Sequence, residues 1–227
     1  NAYQPKFVEV PTDNGGLIPE ELDKILETTP NCKFIYVIPD FQNPTGRTWS
    51  MERRQKFMEV VNKHNLPVLE DNPYGELRYE GTILPSLKSM DTKGLVMFLG
   101  TFSKIFCPGL RLGWIAAEHS LLSEFVKIKQ SADLHTSNFD QGVADAYMEQ
   151  YDLDEHVKEI VALYKHRRDL ILESMEKYFP AGTEWTHPEG GLFLWLTFPE
   201  GVSARKVFNK CIEMKVAGVI GDAFYPN

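Results

Sequence analysis

A lysine flanked by two hydroxyls, with an arginine seven residues further on, is a set of groups that can do chemistry. It stands in the run Gly100-Thr101-Phe102-Ser103-Lys104-Ile105-Phe106-Cys107-Pro108-Gly109-Leu110-Arg111. The hydroxyls of Thr101 and Ser103 and the guanidinium of Arg111 suit a phosphate, and arginine can engage two of its oxygens at once. The Lys104 amine can form a Schiff base with a carbonyl. Two further groups lie upstream. Pro39-Asp40-Phe41-Gln42-Asn43-Pro44-Thr45-Gly46 offers a carboxamide in a turn, and Leu69-Glu70-Asp71-Asn72-Pro73-Tyr74 offers a carboxylate and a phenol. Taken singly, each has a plainer reading as a surface cation, a loop or a helix cap.

What joins them is where they fall relative to the elements that must hold them. Each follows an apolar run that reads as a buried strand: Phe34-Ile35-Tyr36-Val37-Ile38, then Pro67-Val68-Leu69-Glu70, then Leu95-Val96-Met97-Phe98-Leu99. Open α/β sheets gather ligands at the carboxyl ends of their strands, where all three groups lie. Helical patterns separate the strands. Pro19 opens one helix that runs to about Thr28, and Ser50 caps another that reaches about Asn65 with Phe57, Val60, Val61 and His64 on one stripe. Further strands are expected over Phe7–Val10 and near Leu112–Ala117. Such alternation predicts a mostly parallel sheet with helices on both faces.

From Leu121 the pattern turns helical. A long helix from about Leu153 to Tyr178 carries Val157, Ile160, Val161, Tyr164, Ile171, Met175 and Tyr178 on one broad face, with no breaker before Pro180. A smaller α/β portion follows. Strands are expected over Glu184 to His187, Gly190 to Leu196 and Val216 to Ile220, with a helix over Val202 to Met214. The pattern divides the chain into 1–151, a larger α/β part, 152–178, the long helix, and 179–227, a small C-terminal part.

Composition narrows the function classes. The 227 residues are 43% hydrophobic, enough for a buried core, and the formal net charge of −8 argues against a nucleic-acid surface. No apolar stretch approaches the length of a membrane span. The three cysteines, Cys32, Cys107 and Cys211, are scattered, which suits a reducing, cytoplasmic setting rather than a disulfide framework. The six histidines show no ligand spacing, so no metal site is expected.

The order and spacing of Asn43, then Asp71 and Tyr74, then Lys104 and Arg111 resemble those of the class I/II aminotransferases of fold type I, which use pyridoxal 5′-phosphate. Pro188-Glu189-Gly190-Gly191-Leu192-Phe193-Leu194-Trp195 and Phe41-Gln42 before Asn43 are similar to the aromatic, kynurenine and 2-aminoadipate branch. The resemblance implies a transaminase working through a Lys104 Schiff base, between an amino acid and a 2-oxo acid, in a homodimer. It implies Lys104, Asp71 and Tyr74 as catalytic residues, and Asn43, Asp71, Tyr74, Thr101, Ser103, Lys104 and Arg111 as the cofactor's contacts. Asp71 would hold the proton on the pyridine nitrogen, Asn43 and Tyr74 would face the phenolic oxygen, and Thr101, Ser103 and Arg111 would anchor the phosphate. Where the family usually has serine, this chain has Thr101. The resemblance also implies a cis bond at Asn43-Pro44, and it implies that the chain is an internal part of a longer enzyme, inactive when isolated. Two other readings share the motifs: the effector part of a bacterial transcription regulator, and a β-lyase or synthase on the same fold.

Overall fold

The computed structural model describes residues 4–225. Four strands form its central sheet: β3 (Ile35–Val37), β4 (Val68–Asp71), β5 (Val96–Thr101) and β6 (Gly113–Ala116), in that spatial order. The first three run parallel, and β6 closes antiparallel on β5. A two-residue hairpin, β1 (Thr12–Asp13) with β2 (Gly16–Leu17), precedes them. Helix α1 (Pro19–Thr28) starts on proline, whose fixed φ and missing N–H suit a first turn. Helix α2 (Met51–His64) starts where Ser50 Oγ accepts the Arg53 amide at 3.3 Å and ends on Asn65 in the left-handed region.

These two helices pack on one face of the sheet. Leu22, Trp49, Phe57, Met58 and Val61 close against Val37, Val68, Leu87 and Val96 in one buried cluster. Each such side chain contributes about 1.5–3 kcal/mol by leaving water. The α2 stripe falls as expected, with Phe57 and Val61 fully buried, while His64 bonds Asp23 at 2.6 Å instead of entering the core. The other face carries Tyr36, Leu69 and Asp71, and it is more open.

The chain then continues through α3 (His119–Ala132), α4 (Asn138–Gln150) and α5 (Leu153–Tyr178). Asp152 caps α5 by accepting the Asp154 amide at 2.9 Å and the Glu155 amide at 3.2 Å. The expected stripe on α5 is only partly covered: Met175 is buried, Val157, Ile160, Val161 and Tyr164 are half-buried, and Ile171 and Tyr178 face solvent. After α5 come the short pair β7 (Glu184–Trp185) and β8 (Leu196–Thr197), then α6 (Ala204–Glu213).

Three expected strands differ. Residues 7–10 form no strand, and the chain first pairs across the hairpin after Pro11. Residues 216–220 also find no partner among the described residues, and β-branched composition does not make a strand without one. The run from Gly190 is bent at Gly191, with φ +74°, and enters strand geometry only at Leu196. No helix of the described residues is long and apolar enough to cross a membrane.

Candidate functional site

The three parallel strands bring the three sequence groups to one edge of the sheet. Asp71 ends β4 and lies opposite Leu99 of β5, so β5 runs two residues further to Thr101 and the Lys104 turn. Asn72 N–H donates to the Leu99 carbonyl at 3.0 Å, carrying the ladder one step beyond Asp71. The loop after β3 places Asn43 beyond the same strand ends.

That loop is braced by its own groups. Trp49 N–H bonds the Pro39 carbonyl at 2.9 Å, Gln42 N–H bonds the Arg47 carbonyl at 2.9 Å, and Gln42 Oε1 accepts the Thr45 amide at 3.0 Å. The Asn43-Pro44 bond is cis, as the sequence leads one to expect. Gly46 has φ +69°, and a Cβ there would lie 2.5 Å from the Phe193 carbonyl oxygen, so only glycine fits. One end of the Asn43 carboxamide, Oδ1, is buried without a hydrogen-bond partner. A carboxamide presents a donor or an acceptor there by a half-turn, so a bound molecule can supply the missing partner.

Tyr74 is buried beside it, edge-on to Phe193 with ring centroids 5.6 Å apart. Burial and the nearby Asp71 charge push its phenol up, while the Asn43 amide pulls it down. The Asp71 carboxylate accepts a short hydrogen bond on Oδ2 from the Tyr36 hydroxyl. Its Oδ1 takes no hydrogen bond among the described residues. Tyr36 carried no signal in the sequence, where it read only as one residue of an apolar strand.

The turn after β5 is organised by Thr101. Its Oγ1 lies 3.0 Å from the Leu112 carbonyl, to which the hydroxyl gives its one proton, and it accepts the Ser103 amide at 3.1 Å. The Ser103 hydroxyl sits 3.0 Å away. Thr101 thus ties both ends of the 101–112 turn, and Ser103 keeps a hydroxyl for a ligand. Behind the turn, the Trp114 indole lies flat over Gly100; any Cβ there would come within 2.3 Å of the ring. Arg111 stands in the left-handed region, exposed, with Nη1 bonded to the Pro108 carbonyl at 3.0 Å. Among the described residues, no hydrogen bond or ion pair joins Lys104 or Arg111 to Asn43, Asp71 or Tyr74. The parallel strands bring the groups to one edge.

Beneath this edge lies a charged layer that the sequence did not announce. Arg54, fully buried on α2, pairs with Asp40 at 2.6 Å and donates to the Trp49 and Pro85 carbonyls. Arg78 approaches the same Asp40 oxygen at 3.6 Å and reaches Glu189 at 2.9 Å. Glu70, next to Asp71 but on the buried face, accepts the Leu87 and Lys88 amides at 2.8 Å each. Burial pushes its carboxyl up, opposed by those amides and by Arg54. An arginine inside an otherwise apolar helix stripe was the one available clue.

The residues fit pyridoxal phosphate. A carboxylate oxygen stands free at a strand end for a protonated ring nitrogen, and a carboxamide with an unmatched buried end stands beside a phenol for the ring oxygen. A hydroxyl and a guanidinium share a turn with the lysine amine. Among the described residues no group of three or more His, Cys, Asp or Glu side chains is placed to hold a metal ion.

The chain is similar to proteins of one family over nearly its whole length. The model of the family "Aminotransferase class I and II" matches residues 1–225. Aromatic-amino-acid aminotransferase 1 of Thermococcus litoralis is 43% identical over 227 residues, covering 98% of this chain and 54% of that protein. The crystal structure of Pyrococcus horikoshii kynurenine aminotransferase, in complex with PMP, superposes with a TM-score of 0.93 at 40% identity, covering 98% of this chain and 56% of that one. An uncharacterized HTH-type transcriptional regulator of Bacillus subtilis, YisV, is 33% identical over 184 residues, covering 81% of this chain and 38% of its own length. The chain thus spans about half the length of the aminotransferases it matches.

Proposed function

The chain belongs to the class I and II aminotransferases, and on that premise we propose that it carries the cofactor site of a pyridoxal-phosphate-dependent transaminase. Its substrates are an aromatic or 2-aminoadipate-like amino acid and a 2-oxo acid. The observation that carries this reading is the convergence of Asn43, Asp71 with Tyr74, and Lys104 with Arg111 at the ends of three adjacent parallel strands. The names of the aromatic-amino-acid and kynurenine relatives support the substrate class.

When bound, pyridoxal phosphate supplies an aldehyde that forms a Schiff base with amines and a protonated ring that draws electrons from the substrate α-carbon. Asp71 Oδ1 holds the proton on the ring nitrogen. The Asn43 carboxamide and the Tyr74 hydroxyl give the ring oxygen its hydrogen-bonding partners. Ser103 and Arg111 bind the phosphate, the arginine more strongly because its contact is charge-assisted. Thr101 shapes the turn from which they project. Lys104 Nζ would hold the cofactor at rest and, once freed, would serve as the base for the proton on the substrate α-carbon.

The proposal extends to the assembly. The protein works as a cytoplasmic homodimer, with residues 1–151 as part of the cofactor-binding domain, 152–178 as the connecting helix and 179–227 as part of a smaller domain. The likeness to YisV supports a second reading, the effector part of a transcription regulator. The transaminase is favoured because the aromatic-amino-acid aminotransferase is 43% identical to this chain and the regulator 33%.

The test uses the intact protein. Borohydride reduction in the presence of pyridoxal phosphate is expected to fix a pyridoxyl group on Lys104, located by peptide mapping. Lys104→Ala is expected to lower turnover of an aromatic amino acid with 2-oxoglutarate by about 10⁴-fold or more. A pyridoxyl group on another lysine would overturn the site, and a labelled protein without turnover would favour the regulator.

A further inference from the structure

We propose that Tyr36 is a positioning residue for the cofactor site: its hydroxyl clamps one oxygen of the Asp71 carboxylate so that the other is aimed at the ring nitrogen. The proposal rests on the reading of Asp71 given above. Tyr36 lies on β3 opposite Leu69 of β4, two residues before Asp71. Side chains alternate along a strand, so Tyr36, Leu69 and Asp71 share a face, and Tyr36 and Asp71 are diagonal neighbours across the parallel pair. Diagonal neighbours lie within reach of an aromatic side chain.

Packing does not account for the contact. Tyr36 is 52% exposed, so its ring gains little by burial, yet its hydroxyl is drawn onto Asp71 Oδ2. Burial of the hydroxyl end and the Asp71 bond both push the phenol up, so it stays protonated and acts as donor. The direction of the bond is therefore fixed.

The clamp matters because of how carboxylates move. The terminal torsion of an aspartate is broad and roughly two-fold, so an unrestrained carboxylate samples many orientations. The groups near Asp71 offer no other restraint. Asn72 and Gly75 bond to backbone partners or to each other, and Tyr74 faces Asn43. Tyr36 alone among the described residues bonds the Asp71 side chain. With Oδ2 held, Oδ1 keeps one direction. A hydrogen bond to a charged group, lost as a unit, corresponds to about 10–100-fold in an equilibrium or a rate.

The experiment compares wild-type intact protein with Tyr36→Phe, which removes one oxygen from a half-exposed side chain. Both are expected to take up pyridoxal phosphate and to yield the Lys104 pyridoxyl peptide after borohydride, with matching near-ultraviolet circular dichroism. In Tyr36→Phe the proton resonance of the cofactor ring nitrogen is expected to shift and broaden. Its kcat is expected to fall ~10–100-fold while KM changes by less than about 3-fold. A fluorinated tyrosine placed at 36 keeps the shape and alters only the strength of the donor, and it should move the same resonance without unfolding the protein. An unmoved resonance in both variants, or a kcat within about 2-fold of wild type, overturns the clamp and leaves the cofactor reading standing. Failure of the wild type itself to label Lys104 overturns both.

Discussion

Residues 19–101 and residues 119–150 spend their apolar side chains differently. In the first region Leu22, Phe57, Val61, Val68 and Val96 meet one another across α1, α2 and the sheet, and water is excluded. In the second, Ala144 is the one buried residue of α4 and α3 has none, while Phe125, Ile128, Phe139 and Met148 face outward. Each region has a helix with a side-chain cap, α2 on Ser50 and α4 on Ser137. Local signals therefore serve both, and among the described residues only the first closes against a buried apolar layer. The chemistry sits on the first: all the proposed cofactor groups hang from strand ends that a closed core holds still.

The largest expected effect on stability comes from removing the charge that lies under that core. Arg54→Ala leaves Asp40 buried without its closest partner, and the urea unfolding free energy is expected to fall by about 3–5 kcal/mol. Replacing the pair together, Arg54→Met with Asp40→Leu, is expected to recover most of that loss. A cost below about 1 kcal/mol for the single change would mean that the ionic layer does not hold the strand ends.

Two glycines test the same contrast at the backbone. Gly46→Ala is strained at φ +69° and meets the Phe193 carbonyl, so a loss of about 1–3 kcal/mol is expected. Gly142→Ala lies within α4 with nothing within 4 Å, and it is expected to stabilise by about 0.5–1 kcal/mol. Equal costs at the two sites, measured by thermal unfolding, would erase the distinction between a closed and an open region.

Acid sharpens it further. Burial pushes the Asp91 carboxyl up, but the Val96, Leu95 and Lys93 amides and the Lys88 ammonium outweigh that and hold it below the usual value of 3.8. A carboxyl with a lowered folded value adds stability that is full above 3.8 and fades as pH falls through the folded value. Asp91→Asn should therefore be less stable than wild type at neutral pH, and the gap should narrow below about pH 3.8. A gap that does not change with pH would assign Asp91 a neutral role at the start of β5.

The smallest effect is expected on the open side. Phe139 is 80% exposed, and Phe139→Ser should change unfolding free energy by no more than about 0.5 kcal/mol while weakening self-association in sedimentation. A loss above about 2 kcal/mol in the intact protein would show that this face is covered there.

The same contrast separates what the sequence made legible from what it did not. Helices α1, α2 and α5 were readable because caps and proline mark their ends locally: Pro19, Ser50 and Pro180. The parallel strands were readable from apolar runs that needed burial on both sides. Asn43, Asp71, Tyr74 and Lys104 stood just beyond the expected strand ends, and the family resemblance singled them out there. Tyr36 and the Arg54–Asp40 pair were not readable, because each depends on which strand lies beside which. The strands expected at 7–10 and 216–220 failed for a related reason: residue type states a preference, and pairing needs a neighbour.

Trp114 gives the site a built-in light source. Its indole lies against Gly100, one residue before Thr101, so its emission belongs to the turn that carries Lys104. The other three tryptophans sit elsewhere, with Trp49 buried under α2 and Trp185 and Trp195 in the last segment. Single-tryptophan variants would therefore report separately on the core, the cofactor turn and the C-terminal part. A chromophore arriving at Lys104 should quench Trp114 by energy transfer, turning cofactor arrival into a fall in emission read without any added label.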